Sequence, residues 1–217
     1  MLGHLLLLLQ GASITVLAAT LSTLLGLFGA VLLLAAQQAG SRVLTLACRV
    51  YISFIRGTPA LVLILFAYYA LPGLIGIDFP PLIAGVLALS ANGAAFMSEV
   101  LRGSLSRIPE GQWEAARALG LSRIRTWTFV VLPQLFANAL PPLAGEFTML
   151  VKGTALLSVI TLVELTRRGQ QIMTETYRPV ETFLAVAIIY FLICFCVTAL
   201  TRRYEARIHA RERKRPA

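Results

Sequence analysis

The sequence predicts an all-α, polytopic membrane protein with five transmembrane helices, and three observations carry that expectation. Of its 217 residues, 58% are hydrophobic and only 13% charged, with a mean hydropathy of +0.79, too little charge to clothe a water-soluble surface. Five apolar stretches are each close to the ~20 residues that a helix needs to cross the hydrocarbon core. Nineteen Lys and Arg against ten Asp and Glu leave a net charge of +9. In so apolar a chain that excess points to the anionic face of a bilayer rather than to nucleic acid.

The spans follow in order. The first is expected over residues 12–36, preceded by Leu5 to Leu9, where no Lys or Arg comes first and no small-residue cleavage site stands out; this opening reads as a short interfacial helix. The second covers residues 59–77 and closes at the turn-forming Asp78, Phe79, Pro80 and Pro81. The third covers 82–101. The fourth covers 135–163, is interrupted by Pro141 and Pro142, and carries Glu146 and Lys152. The fifth covers 183–200. With no internal repeat or long linker, residues 1–217 read as a single transmembrane domain. Cys48, Cys194 and Cys196 form an odd set without ladder spacing and read as small apolar residues.

Basic residues set the orientation. Fifteen Lys and Arg fall between spans one and two, between three and four, and after span five, whereas Arg167, Arg168 and Arg178 alone occupy the loop between four and five. The C-terminus is therefore expected in the cytoplasm and the N-terminus outside. The run from Arg202 to Lys214 and Arg215 belongs to this orientation signal, with binding of anionic headgroups as the second reading.

The cytoplasmic segment 102–133 is the most informative. Pro109 suits a helix start, and Glu110, Gln112 and Glu114 put acid at its positive end. Trp113, Ala116 and Leu119 recur at i, i+3 and i+6, giving an apolar side flanked by Glu114 and Arg117. Gly120 can take the left-handed conformation that stops the helix, and Ser122 can cap a second one that ends at Pro133. The product is a helix-turn-helix. It either lies on the membrane or docks a soluble partner, whose push it would pass into the spans.

Glu114-Ala115-Ala116, Gly120, and Val130, Leu132 and Pro133 match the E-A-A, three residues, G, nine residues, I-x-L-P pattern of ABC-importer permeases, with Val130 in the isoleucine place. Arg56-Gly57-Thr58-Pro59, Ser98-Glu99 with Arg102-Gly103, Ile108 to Gln112, and Leu150 to Thr154 resemble the polar amino-acid branch, which includes histidine, glutamine, arginine and opine systems. The resemblance implies a type I ABC importer permease of the bacterial inner membrane. It implies a second permease subunit, identical or homologous, a cytoplasmic ABC ATPase dimer, and an extracytoplasmic amino-acid-binding protein. Trp113, Glu114, Ala115, Ala116, Arg117, Leu119 and Gly120 would contact that ATPase, with Glu114 pairing a basic group in its groove. Gly153 and Ala155 depart from the aspartate and serine usual in the branch.

Ionisable groups inside a bilayer cost on the order of 3 kcal/mol each, so each needs a partner or a role. Glu99 either pairs with Arg102 at i,i+3 or faces the pathway with Asn92 and Phe96, which share its side of the helix. Glu146 either meets substrate or bonds a neighbouring helix or subunit. Six residues separate it from Lys152, which argues against their pairing; Lys152 is expected to snorkel or to meet Glu164 or Glu175 at the outer surface. The candidate substrate pathway is thus Asn92, Phe96, Glu99 and Glu146.

No G-x-x-x-x-G-K-[ST] loop occurs, so ATP and Mg are expected on the partner ATPase, with no cofactor in this chain. His4 and His209 both lie near the termini, which argues against a metal site or a histidine base within the bundle. A membrane enzyme has no constellation to support it. Two functions stand: a permease of an ATP-driven amino-acid importer, and an ion-coupled secondary transporter of small polar solutes using Glu99, Glu146 and Lys152 as a relay.

Overall fold

The computed structural model describes the backbone of residues 2–212 and the side-chain surroundings of residues 3–206; the end of the basic tail, with Lys214 and Arg215, and the surroundings of His209 lie outside the described residues. Eight helices follow one another: α1 Leu2–Gln38, α2 Arg42–Gly57, α3 Ala60–Ile75, α4 Pro81–Ser106, α5 Glu110–Ala118, α6 Arg123–Ile160, α7 Leu165–Thr176 and α8 Pro179–Glu212. Four of them, α1, α4, α6 and α8, are long and apolar enough to cross a membrane, and α2 with α3 makes a fifth candidate bent by 105°. No strand occurs among the described residues.

Helix α4 is the hub. In its most apolar stretch 61% of residues are buried, against 6% in α8, so α4 is wrapped by protein and α8 leaves most of its surface uncovered by this chain. The hub is reached through small residues, because lipid offers helices no hydrophobic reason to associate and close van der Waals approach must do so. A Cβ at Gly26 of α1 would stand 3.2 Å from the Ser90 carbonyl oxygen and 3.3 Å from the Ala94 nitrogen of α4. Ala18, Ala30, Leu34, Val86, Leu89, Met97 and Leu150 bury the contact between α1, α4 and α6.

Several expectations change. Leu5 to Leu9 is not a separate interfacial helix: α1 runs unbroken for 37 residues, about 55 Å at 1.5 Å per residue, longer than the ~30 Å core. The segment before span two is itself helical. Ser41 accepts from the Leu44 N–H, and Cys48, Ile52 and Ile55 turn inward at i, i+4 and i+7. It ends where Pro59 forces Thr58 extended (φ −103°, ψ 132°). Tyr51 fastens it to α4 by donating to the Ala91 carbonyl at 2.9 Å.

The prolines behave in two ways. The helix that begins at Arg123 does not end at Pro133: a π-turn at Trp127–Val131 carries it into Leu132–Gly153, and a π-turn at Phe66–Ala70 likewise precedes Pro72. Each widened turn moves the carbonyl four residues back away from the proline ring. Pro141 and Pro142 do not interrupt α6 either. Ala139 is fully buried and Leu143 packs on the main core, so neighbouring helices hold the turns on both sides.

Glu164 is the largest departure. It is fully buried rather than at the outer surface. Its carboxylate caps α7, accepting from the Thr166 and Arg167 N–H groups at 2.8 Å each, and takes the Tyr190 hydroxyl of α8 at 2.8 Å and the Thr15 hydroxyl of α1 at 3.4 Å. One side chain ties three helices. Burial pushes its pKa above the ordinary carboxylate value, against the pull of those hydrogen bonds.

Candidate functional site

Two cavities flank α4. The larger, about 490 Å³, is lined by Arg56, Asn92, Phe96, Glu146, Lys152 and Gly153 among others. The smaller, about 330 Å³, is lined by Arg56, Phe96, Glu99, Arg107, Pro142 and Glu146 among others. Arg56, Phe96 and Glu146 belong to both and form the partition between them. The bend after Gly57 aims Arg56: it stands at the last turn of α2, and its guanidinium carbon lies 5.2 Å from the Phe96 ring centroid, within cation–π range.

Glu99 is gripped by Arg102, whose Nε and terminal nitrogen donate to the two carboxylate oxygens at 3.1 and 2.7 Å. Arg56 approaches the same carboxylate only to 3.8 Å. Asn92 and Glu99, two turns apart on α4, open into different cavities and meet through Phe96. Glu146 and Lys152 face the larger cavity together although six residues set their directions about 120° apart; the long, flexible Lys152 stem covers the difference. Neither makes an ion pair among the described residues, so Lys152 does not meet Glu164 or Glu175. Sequence reasoning passed over Arg56 as a site residue. Its signal was its place just before Gly57, Thr58 and Pro59, where a basic side chain must turn with the chain.

The turn between α5 and α6 is rigidly mounted. Pro109 precedes α5, and Gly120 takes φ +69°, with its N–H donating to Arg117 at 2.9 Å and that of Leu121 to Ala116 at 3.0 Å, the left-handed closure expected of a glycine there. Ser122 then accepts from the Arg125 N–H at 3.4 Å. Trp113 packs edge-on against Trp127, centroids 5.7 Å apart, and both rest on Ile108, Val131 and Leu135. Ala116 is buried, while Glu114, Ala115 and Arg117 are exposed. Leu119 is 78% exposed: the helix ends one residue before it, and the turn swings it off the inward side. With Ile124, 77% exposed, it adds apolar area to an otherwise polar outer face.

The family model described as the binding-protein-dependent transport system inner membrane component matches residues 22–210. The glutamine transport system permease protein GlnP of Escherichia coli K12 is 36% identical over 203 residues, 93% of either chain. The L-cystine transport system permease protein TcyB of Bacillus subtilis is 34% identical over 189 residues, 87% of this chain and 80% of that one. Among solved structures, an amino acid ABC transporter with histidines superposes with a TM-score of 0.88 at 32% identity, covering 95% of this chain and 96% of the other. The inward-facing MetNI methionine ABC transporter, at TM-score 0.73 and 21% identity over 92% and 97% of the two chains, shares the fold. These likenesses decide against the ion-coupled alternative. The chain belongs to the binding-protein-dependent transport system inner membrane component family, the permease subunits of ATP-binding-cassette importers.

Proposed function

We propose that this permease moves polar amino acids into the cytoplasm by alternating access, with its N-terminus outside, its C-terminus inside, and the cavities beside α4 as its share of the path. A cytoplasmic ATPase pair, holding ATP and Mg, docks on α5. A second permease subunit, identical or homologous, completes the enclosure, and an extracytoplasmic binding protein delivers the substrate. Support for the cargo comes from relatives named for glutamine and cystine transport, and from a cavity carrying charge of both signs, as a zwitterion requires.

The observation that carries the coupling step is the mounting of α5. A force on its exposed Glu114 and Arg117 face reaches Trp113, passes to Trp127 and the π-turn at the foot of α6, and through Ile108 and Leu105 to the end of α4. Helices α4 and α6 carry Asn92, Phe96, Glu99 and Glu146, so a lever at the cytoplasmic turn moves the walls of the path. Gly120→Pro tests this, since proline cannot adopt φ +69° and is held near −65°. In proteoliposomes with all partners, Gly120→Pro and the milder Glu114→Ala are expected to lower uptake and substrate-stimulated ATP hydrolysis together, while membrane insertion and basal ATP hydrolysis are retained. Unchanged stimulation in both variants would refute the lever.

A further inference from the structure

We propose that the larger cavity selects against cationic amino acids and admits neutral polar and acidic ones, with Arg56 as the ligand for the substrate's α-carboxylate; this rests on the reading that the cavity is part of the path. Three charged side chains line it: Arg56, Lys152 and Glu146. Glu99 does not restore the balance, because it opens into the other cavity and both its oxygens are held by Arg102 at 3.1 and 2.7 Å. Two cations therefore face one carboxylate.

A zwitterion uses these groups in a fixed way. Its ammonium has one anionic partner, Glu146. Its carboxylate is matched by the planar fork of Arg56, which is steadied on the Phe96 ring and engaged elsewhere only by the 3.8 Å approach to Glu99. Lys152 is then left without a counter-charge. An amide oxygen or a side-chain carboxylate satisfies it, whereas a side-chain ammonium or guanidinium meets a like charge and no free acid. A second copy of the chain across the path would double the excess and not cancel it. The wall has room for the missing charge: a Cβ at Gly153 meets only the Leu89 methyl, at an ordinary 3.4 Å.

The test uses the intact permease–ATPase complex in nanodiscs without the binding protein, so that only the membrane site chooses. Binding of L-glutamine, L-glutamate and L-arginine is measured by saturation-transfer NMR. In the natural protein arginine is expected to bind at least about tenfold more weakly than glutamine, by the Coulomb energy of one misplaced charge in a half-solvated site. Gly153→Asp, and independently the exposed-site variant Lys152→Gln, should each narrow that gap about tenfold, and Arg56→Ala should weaken all three ligands. Arginine bound as tightly as glutamine, with both lost in Arg56→Ala, overturns the charge selection but leaves the path where it is. Absence of binding, or binding indifferent to Arg56→Ala and Asn92→Ala, overturns the path reading and the selection with it.

Discussion

Replacing Glu164 distinguishes a structural tie from an incidental buried acid. Glu164→Ala removes the α7 cap, which contributes about 1 kcal/mol, and leaves the Tyr190 hydroxyl and two backbone N–H groups without their 2.8 Å acceptor, each buried orphan costing about 1–3 kcal/mol. Partial rescue by water and by the remaining Thr166–Tyr190 contact at 3.0 Å brings the expected loss to about 2–4 kcal/mol. Glu164→Gln keeps one carbonyl oxygen in place, and its loss should be about half as large. The sign with pH follows from the raised pKa: the folded state holds the proton longer than the unfolded chain, so this group's contribution is greatest in acid and declines as pH rises from the ordinary carboxylate value through the raised one. Glu164→Gln removes that dependence. Thermal unfolding of the detergent-solubilised protein across pH measures both effects. Equal melting temperatures for the Ala and Gln variants, or a pH slope that survives in Glu164→Gln, would refute the reasoning.

Three further outcomes follow from particular contacts. Gly11→Val should destabilise more than Gly85→Val, because a Cβ at Gly11 would stand 2.9 Å from the Leu165 backbone whereas Gly85 faces only the movable end of Leu157; melting temperatures rank them. Tyr51→Phe loses one hydrogen bond to Ala91 at 2.9 Å and should cost about 1 kcal/mol in chemical unfolding. Trp113→Ala empties the seat against Trp127 and should lower stimulated ATP hydrolysis more than basal hydrolysis, as an assay of both rates in proteoliposomes would reveal.

The long spans were legible because composition decides them: residues 82–101 and 183–200 fall inside α4 and α8, where apolar residues far outnumber the few polar ones such as Asn92, Glu99 and Thr198. The turn at Gly120 was legible because proline, cap and glycine are local signals. What escaped detection depends on distant partners. Helix α2 reads as a connection until Ile52 and Ile55 find α4, and α7 until Glu164, Leu165 and Ile172 find α1 and α8. Pro141 and Pro142 look like a break because local propensity cannot include the packing of Ala139 and Leu143. Glu146 and Lys152 looked divergent on a helical wheel, which ignores the reach of a lysine, and Arg56 gained its place in the site only through a 105° bend.

As proposed above, α5 is a lever held by another protein rather than a helix lying in lipid. Its most direct test is a nitroxide on Leu119→Cys, a position 78% exposed, in protein whose Cys48, Cys194 and Cys196 are replaced by serine. The probe is expected to be immobilised and shielded from both oxygen and a water-soluble relaxant when the ATPase is bound, and to become water-accessible when the ATPase is stripped away. High oxygen accessibility typical of the acyl region, unchanged by the presence or absence of the ATPase, would contradict it.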